Sequence, residues 1–363
     1  MIPNNSLIRG FGLHQKEYEQ KALEVLRSGW YVLGNEVSSF EKEYANKIGT
    51  KYCIGVDNGL NAIVLGVKAL DIHEGDEIII AANTYIATAL GVSLNKAMPV
   101  FVDVDEYHNI DPDKIEQSIT DKTKAVLVTH LYGQACQMKN IRKICDEHHL
   151  YLLEDCAQAH GAECDGRQVG SWGDMGFFSF YPTKNLGGFG DGGAITTDNE
   201  ELDKKLRALR NYGSSERYVN DYEGHNSRLD ELQAGLLRVK LGYLDDITTE
   251  RRLIADRYIN GVRNNLIELP KTKEGCTHVY HLFVVQTNNR DEFRQYMKDK
   301  GVSTDIHYPT PPYLAKPYSN LGYRRGDFPV TEKLYSRIVS IPIFTGMTEE
   351  EQKVVIDALN EYR

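Results

Sequence analysis

The sequence predicts an α/β protein: a mostly parallel sheet covered by helices on both faces, followed by a smaller C-terminal α+β unit. The first observation is that short apolar runs alternate with longer amphipathic runs from residue 52 onward. This alternation is typical of strands joined by crossover helices. The second is that the short runs are apolar throughout and recur about every 25 residues, as in strands buried on both faces. The third is that the rhythm changes in the last third of the chain.

The predicted elements follow in chain order. Five apolar runs predict strands at residues 52–56, 77–80, 99–103, 124–129 and 151–155. The amphipathic segments between them predict helices at residues 59–70, 84–94, 111–119 and 138–148. Beyond them come an aromatic strand at 177–181, a glycine-rich stretch, a strand at 194–197 and a charged helix at 200–210.

The pattern divides the chain into two domains. A helical pattern from 229 to 260 would bridge them. We place the boundary near residue 245, so that residues 1–245 form the large domain and residues 246–363 the small one. The small domain would contain strands at 281–286 and 339–343 and a helix at 291–300.

Composition narrows the functional class. There are 42 Lys and Arg against 52 Asp and Glu, giving a formal net charge of −10. A protein that binds nucleic acids or anionic membranes needs a positively charged surface, so neither is an expected partner. No apolar run is long enough to cross a bilayer, and we expect a cytoplasmic protein. The six cysteines include no C-x-x-C pair and are expected to be free thiols.

A carboxylate stands at the end of the predicted strand at 151–155. Asp155 terminates this apolar run, and Gln158 and His160 follow closely. Ligands of open α/β sheets bind at the carboxyl ends of strands, which makes Asp155 a candidate site residue. The alternative is a carboxylate that only caps the next turn.

A single lysine precedes the glycine-rich stretch. Lys184 lies between the aromatic strand and a loop with five glycines among residues 187–193. Glycine there allows close approach of backbone or ligand. A confined lysine loses its proton more readily, as a Schiff-base amine requires. The alternative is a surface lysine before a flexible loop.

The turn after the first strand could bind an anion. Gly59 and Leu60 open a predicted helix, and free amides at a helix start form an anion cradle. Equally, Asp57 and Asn58 could simply cap that helix.

Two other patterns do not indicate a cofactor. The glycines at 188, 190 and 193 match G-x-G-x-x-G but lead into a strand, not a helix, which argues against a nicotinamide enzyme. Cys276, His278 and His281 are close in sequence, but zinc sites usually have four ligands, and we expect no metal.

Together these segments resemble the DegT/StrS family of sugar-nucleotide aminotransferases over nearly the whole chain. The most specific segments are residues 154–161, 179–184 and 226–234. The resemblance implies the aspartate aminotransferase-like fold, PLP fold type I. It also implies the cofactor pyridoxal 5′-phosphate (PLP), with pyridoxamine 5′-phosphate as an intermediate.

The resemblance implies a role for each matching residue. Lys184 would hold the cofactor as a Schiff base and move protons during catalysis, and Asp155 would pair with the pyridinium nitrogen. Gln158 would face the ring hydroxyl, and Tyr85 would stack on the ring. The residues that would bind the phosphate are Gly59 and Leu60 through their amides, Ser179, and Asn226 from a second subunit. A homodimer with shared active sites is therefore expected.

Within the family, residues 28–34, 130–136 and 306–309 look most like enzymes that aminate C3 of a dTDP-3-keto-6-deoxyhexose. The product would be a dTDP-3-amino-3,6-dideoxyhexose for surface polysaccharides or natural products, with L-glutamate as the expected amino donor. By this likeness the hexose pocket would contain Tyr181, His307 and Tyr308, although His307 could be an ordinary loop residue. The candidates for binding the diphosphate are Lys204, Lys205, Arg207, Arg210 and Arg217, most of them on a helix face that could simply be solvated.

Two alternatives stay open. The first is a 4-aminotransferase that acts on a UDP- or dTDP-4-keto sugar. The second is a regulator that binds PLP and a nucleotide sugar without catalysis. Both configurations at C4 of the hexose, galacto and gluco, also stay open.

Overall fold

The computed structural model describes residues 1–363, with thirteen strands and thirteen α-helices. The strands are β1 (Tyr52–Val56), β2 (Glu77–Ala81), β3 (Met98–Val102), β4 (Thr123–Thr129), β5 (Tyr151–Asp155), β6 (Glu163–Cys164), β7 (Arg167–Gln168), β8 (Met175–Ser179), β9 (Gly193–Thr197), β10 (Ser214–Glu216), β11 (Val219–Asn220), β12 (Phe283–Gln286) and β13 (Ile338–Ile341). The helices are α1 (Leu7–Leu13), α2 (Gln15–Ser28), α3 (Asn35–Ile48), α4 (Gly59–Ala69), α5 (Ile86–Ser93), α6 (Pro112–Gln117), α7 (Met138–Glu147), α8 (Glu200–Leu209), α9 (Glu231–Leu241), α10 (Leu244–Gly261), α11 (Arg290–Asp299), α12 (Pro329–Arg337) and α13 (Glu349–Glu361). Short 3₁₀ turns span Leu131–Gly133, Pro312–Leu314 and Lys316–Leu321.

Seven strands form one sheet in the order β1-β9-β8-β5-β4-β2-β3. The neighbours from β8 to β3 are parallel, and β9 alone runs antiparallel, to both β1 and β8. A glycine-rich loop joins β8 to β9 without a crossover helix, so the chain reverses at the same edge of the sheet. The predicted mostly parallel sheet is confirmed.

Alternate residues of the central strands enter separate cores. Val126 and Leu152 belong to a core that also contains residues of α3, α7 and α9. Leu127 and Leu153 belong to a second core, with residues of α4, α5 and α8. Because successive side chains of a strand point to opposite faces, these two cores cover both faces of the sheet.

A third core lies in the C-terminal part of the chain. There β12 pairs with β13, and residues of α10, α11 and α13 pack around them. Ile2 belongs to the same core: its N–H donates to Gly301 O at 2.7 Å, and Ser303 N–H donates to Ile2 O at 2.9 Å. The start of the chain is therefore fixed to the C-terminal unit. The domain boundary near residue 245 stays a prediction.

The single helical pattern expected over 229–260 is two helices, and that expectation was wrong. The break falls at Gly242 and Tyr243, and Tyr243 leaves helical geometry with φ −111°. Glycine has low helix propensity. Tyr243 also stacks on His14 at 3.5 Å between ring centroids and donates its hydroxyl to Glu17. These contacts hold the turn against α2.

None of the helices combines the length and the apolar composition that are needed to span a membrane.

A buried ion-pair cluster joins α3, α8 and β1. The Glu41 carboxylate accepts hydrogen bonds from Arg210, from Arg207 Nη1 at 2.7 Å and from Gly55 N–H at 2.9 Å. Burial by itself would raise the pKa of Glu41, but the two guanidinium charges and these hydrogen bonds outweigh it and lower the pKa. The cluster therefore stabilises the fold while Glu41 is ionised.

We predict that Glu41→Gln lowers the free energy of unfolding by about 3 kcal/mol at neutral pH, because it leaves Arg210 buried without its partner. Urea unfolding would measure the change. The loss should shrink in acid, where the wild-type carboxylate is itself protonated. Asp245→Asn is the matched control: Asp245 forms an exposed pair with Lys47, and its loss should cost about 1 kcal/mol or less. Equal effects of the two variants would contradict the prediction.

Candidate active site

Three parallel strands end at the same edge of the sheet and place polar residues together there. Asp155 is the last residue of β5 and Ser179 the last residue of β8, while β1 leads through Asn58 into α4 at Gly59. These residues surround a cavity of about 630 Å³. Its position is the one expected for a ligand of an open α/β sheet.

The structure brings all but one of the predicted site residues to this cavity. The lining includes Gly59, Leu60, Tyr85, Asp155, Gln158, Ser179, Tyr181, Lys184, His307 and Tyr308. Asn226 is absent from the lining. Its side chain is exposed, and its backbone pairs with Asn211. Within one chain, therefore, Asn226 does not reach the cavity.

Asp155 is a buried carboxylate with defined partners. Its Oδ2 accepts from Thr88 Oγ1 at 2.7 Å, and its Oδ1 accepts from Ala157 N–H at 3.1 Å. Burial raises the pKa of Asp155, and these two bonds and the nearby charge of Lys184 oppose that rise. Only the bond from Ala157 N–H to Oδ1 caps the turn after β5. The bond from Thr88 to Oδ2 is additional, so Asp155 is more than a turn cap.

Behind Asp155 lies a network of threonine hydroxyls that the sequence did not reveal. Thr84 Oγ1 lies 2.7 Å from Thr88 Oγ1 and 3.0 Å from Thr129 Oγ1, and Thr88 donates to Asp155. Thr84 and Thr88 are four residues apart at the start of α5, so they share one face of this turn. The only sequence feature that could have predicted this network is the spacing of Thr84 and Thr88 directly after the buried strand β2.

Lys184 lies in the cavity wall, close to Asp155. Its backbone N–H donates to Tyr181 O at 2.9 Å in the turn after β8, and its ammonium has no salt-bridge partner. Burial lowers the pKa of Lys184 to about 8, and the charge of Asp155 opposes this shift. The neutral amine is therefore accessible near physiological pH. The surface-lysine alternative does not describe this residue.

The start of α4 presents free amides to the cavity. Asn58 caps the helix by accepting from Asn61 N–H at 2.8 Å, and its carbonyl accepts from Ala62 N–H. The N–H groups of Gly59 and Leu60 keep no acceptor within the protein. The capping alternative and the anion cradle thus coexist at this turn.

Gly59 is required by the close approach of Ser179. A Cβ atom at position 59 would lie 2.7 Å from the Cβ of Ser179, which is too short for two carbon atoms. His160 fixes Ser179 from the other side. Its Nε2 donates to Ser179 O at 3.0 Å, so its Nδ1 must accept from the hydroxyl of Tyr44, 2.8 Å away.

An amide and two tyrosines form another wall. Gln158 Oε1 accepts from Tyr132 N–H at 2.7 Å, and Gln158 Nε2 donates to the Tyr308 hydroxyl at 3.0 Å. The rings of Tyr308 and Tyr85 lie 4.8 Å apart between centroids. His307 Nδ1 lies 2.8 Å from Ser340 Oγ, which anchors this segment to β13. His307 is therefore more than an unattached loop residue.

The glycine-rich loop serves close backbone packing. A Cβ atom at Gly193 would lie 2.5 Å from the carbonyl carbon of Asn58. The loop then enters β9. The interpretation of G-x-G-x-x-G as a chance match is consistent with this strand.

Two of the three residues considered as metal ligands, Cys276 and His278, have other partners. Cys276 Sγ lies 3.4 Å from Cys164 Sγ, His278 stacks on Tyr280, and His281 lines the cavity with its Nδ1 unpartnered. All six cysteines are free thiols, as predicted.

A second group, His130, Glu154 and Cys156, is close enough to hold an ion. However, Glu154 already accepts from His130 Nε2 and from the N–H groups of Gly170 and Gly173. Both carboxylate oxygens of Glu154 therefore already accept hydrogen bonds from the protein, which gives this residue a structural role.

The basic residues proposed for a diphosphate do not line the cavity, and four of the five are paired elsewhere. Arg207 and Arg210 bind Glu41 in the interior, Lys204 pairs with Glu200, and Lys205 pairs with Asp71. Their helix packs between α4 and β1 rather than at the cavity. Arg217 is exposed beside Tyr218 in the β10–β11 hairpin.

Sequence reasoning also missed residues from distant segments. Asn4 and Asn5 line the cavity because Ile2 pairs beside Val302, and Asp191 and Asp305 line it as well. None of them belongs to a local motif that marks a site.

The arrangement suits proton transfer beside a covalently held ligand. A lysine with a lowered pKa faces a buried carboxylate, and a helix start with free amides lies beside a serine hydroxyl. Such a set can hold an anionic group and activate an amine.

Comparison with known proteins gives the same picture. A model of the DegT/DnrJ/EryC1/StrS aminotransferase family matches residues 13–360. The chain is 50% identical over 363 residues to the dTDP-3-amino-3,6-dideoxy-alpha-D-galactopyranose transaminase of Aneurinibacillus thermoaerophilus, covering 100% of this chain and 99% of that protein.

Two solved structures are similar over most of the chain. DesV of S. venezuelae in complex with a ketimine intermediate has a TM-score of 0.97 and 40% identity, covering 99% of this chain and 98% of that chain. NtdA from Bacillus subtilis with bound cofactor PMP has a TM-score of 0.89 and 34% identity, covering 95% of this chain and 81% of that chain.

These matches confirm the resemblance predicted from residues 154–161, 179–184 and 226–234, and with it the aspartate aminotransferase-like fold and the enzyme class. The chain belongs to the DegT/DnrJ/EryC1/StrS aminotransferase family.

Proposed function

We propose that this protein is a PLP-dependent transaminase that places an amino group on C3 of a dTDP-3-keto-6-deoxyhexose, with L-glutamate as the amino donor. The observation that carries the proposal is the pairing, in one cavity, of Lys184 with a lowered pKa and the buried carboxylate of Asp155. The C3 position and the dTDP group follow from the name of the relative that is 50% identical over the whole chain.

The cavity residues fit PLP. The free amides of Gly59 and Leu60 and the hydroxyl of Ser179 offer donors for its phosphate. A side chain at position 59 would collide with Ser179 and disturb this set of donors. Asp155 lines the same cavity and can accept from a protonated ring nitrogen. The exposed ring of Tyr85 offers a flat apolar surface for the cofactor ring.

PLP supplies the electron sink that allows a proton to leave the carbon attached to the transferred nitrogen. The protein supplies the rest. Asp155 keeps a proton on the ring nitrogen, provided that it remains ionised, and Thr88 and Ala157 favour that state. Lys184 gives and takes the migrating proton through an amine that is accessible in its neutral form.

The remaining wall of the cavity offers polar groups to the cofactor ring and to the sugar. Gln158 has its oxygen occupied by Tyr132 N–H, so only its NH₂ group is available as a donor toward the cofactor ring. Tyr181 and His307 offer polar groups toward the hexose. Burial lowers the pKa of His307, so its imidazole is neutral at physiological pH and can accept as well as donate.

The proposal includes a homodimer with shared active sites. Asn226 is exposed and lies outside the cavity of its own chain, which is expected if it acts on the partner's phosphate group. Large apolar side chains are exposed in the segment after α2, with Trp30 63% and Tyr31 53% exposed. Such a patch is typical of a surface covered in the assembly. The cytoplasmic location stays a prediction.

Product analysis tests the function. When the holoenzyme is given L-glutamate and a dTDP-3-keto-6-deoxyhexose, we expect NMR to locate the new C–N bond at C3. Both C4 epimers should be supplied, and the relative's name makes the galacto epimer the first choice. Lys184→Ala should be slower by about 10³-fold or more, since it lacks the proton-transfer group.

Other outcomes separate the alternatives. A new bond at C4 of a UDP- or dTDP-4-keto sugar would identify the 4-aminotransferase. Binding of PLP and nucleotide sugar without any half-reaction with glutamate would identify the non-catalytic regulator.

The hydroxyl of Thr88 should set the acidic limb of the pH profile. Thr88→Val removes the bond that lowers the pKa of Asp155, so the carboxylate should be protonated over a wider acidic range. We expect kcat/KM to fall by about tenfold at the acidic end, since a hydrogen bond to a charged group is worth roughly 1.5–3 kcal/mol. The loss should diminish as the pH rises. Thr88→Ser keeps the hydroxyl and should behave like wild type, whereas a loss that is equal at every pH would refute the role.

Hybrid dimers test the shared site. We expect Lys184→Ala and Asn226→Asp to be inactive alone and to recover roughly one quarter of wild-type activity when subunits are exchanged, because half of the dimers then contain one intact site. The matched control mixes Lys184→Ala with Ser179→Asp, two residues of the same cavity, and should recover nothing. Recovery in both mixtures, or in neither, would argue against sharing through Asn226.

A further inference from the structure

A second cavity adjoins the first behind Lys184. Its volume is about 260 Å³, and it lies between the N-terminal segment, the glycine-rich loop and helices α9 and α10. The two cavities share the residues Asn5, Thr183 and Lys184. The second cavity therefore lies next to a ligand held at Lys184.

The second cavity contains cations without any anion. Lys240 and Arg251 line it together with Lys184, and no aspartate or glutamate does. Lys240 Nζ donates only to Gly187 O at 3.0 Å, so two of its three N–H groups are free. Neither Lys240 nor Arg251 has a salt-bridge partner in the structure.

Arg251 is a buried cation without an acidic partner. Its side chain is only 4% exposed, and its Nη1 donates to the carbonyl groups of Tyr280, His281 and Ile343. Its buried Nε has no partner, and its Nη2 makes no hydrogen bond to the protein. A buried guanidinium group whose hydrogen-bond partners are all neutral carbonyl groups would gain favourable charge interaction from a bound anion.

Both cations remain charged near neutral pH. Burial, with a smaller contribution from the charge of Arg251, lowers the pKa of Lys240 to about 8. Burial lowers the pKa of Arg251 to about 10. An anion between them would reverse both shifts and so would bind with a favourable charge interaction.

The main cavity has the opposite charge pattern. Asp155, Asp191 and Asp305 line it, and Lys184 is its only lysine or arginine. An amino donor such as glutamate carries two carboxylates. The cations of the second cavity attract those carboxylates.

We propose that the second cavity is the subsite for a carboxylate group of the amino donor, with Arg251 and Lys240 as its ligands. This inference rests on the proposed transamination. Lys184 then lies at the junction, where the amino group of the donor reaches it while the carboxylate lies against the two cations. The keto-sugar has no carboxylate on its reacting carbon and therefore does not need this subsite for its half-reaction.

Binding of a donor mimic gives the first test. Glutarate, a dicarboxylate without an amino group, should bind the holoenzyme in calorimetry. Lys240→Met should weaken this binding by about tenfold or more, because a charged hydrogen-bonded contact is lost. Lys353→Met removes an exposed lysine of α13 and should leave it unchanged. Equal binding of chloride at the same ionic strength, or unchanged binding to Lys240→Met, would overturn the proposal.

The two half-reactions give the second test. We expect Lys240→Met to raise the KM for glutamate by about tenfold or more, while the reaction of the PMP-loaded enzyme with keto-sugar stays within about twofold of wild type. Arg251→Lys is the second variant, since it keeps a charge near the three carbonyl groups and should shift the glutamate KM in the same direction. Wild-type enzyme that performs neither half-reaction would refute the proposed function itself. Wild type that performs both, with equal losses in the two half-reactions of Lys240→Met, would refute only the subsite.

Discussion

Asp155 lies at the end of a central strand, where burial raises the pKa of its carboxyl group while Thr88, the Ala157 amide and Lys184 favour the ionised form. The rest of the site depends on this balance. An ionised carboxylate can hold a proton on a ring nitrogen, and a neutral one cannot. The same carboxylate opposes the fall of the pKa of Lys184, which stays near 8 instead of falling further. Each of the two groups therefore shifts the pKa of the other: Lys184 favours the ionised form of Asp155, and Asp155 favours the protonated form of Lys184.

The sheet topology explains why these groups meet. β1, β5 and β8 end at one edge, and the antiparallel β9 returns the chain beside β1. Gly193 of β9 then packs against Asn58, and Gly59 packs against Ser179. Side chains at these glycines would separate the helix start from the end of β8. The anion cradle is thus a consequence of close backbone packing rather than of a special loop.

Local patterns predicted what local sequence determines. The strands at 52–56 and 151–155 match the structure residue for residue, because each is an apolar run bounded by polar residues. Asp155, Lys184 and Gly59 stood out because each follows such a run. The break at Gly242 was missed because the apolar periodicity continues through it, while the contacts of Tyr243 with α2 decide the geometry. Arg207 and Arg210 were misjudged because their partner, Glu41, is far away in the sequence.

Contacts between distant segments account for the rest of the site. Asn4 and Asn5 enter the cavity wall only because Ile2 is buried in the C-terminal core and pairs beside Val302. His307 is anchored to Ser340 of β13, and Arg251 of α10 binds the carbonyl group of Ile343 just beyond it. The cavity wall on this side therefore exists only when the C-terminal core has formed and has captured the start of the chain. Asn5 lines the second cavity as well, so the same packing supplies part of the wall of both cavities.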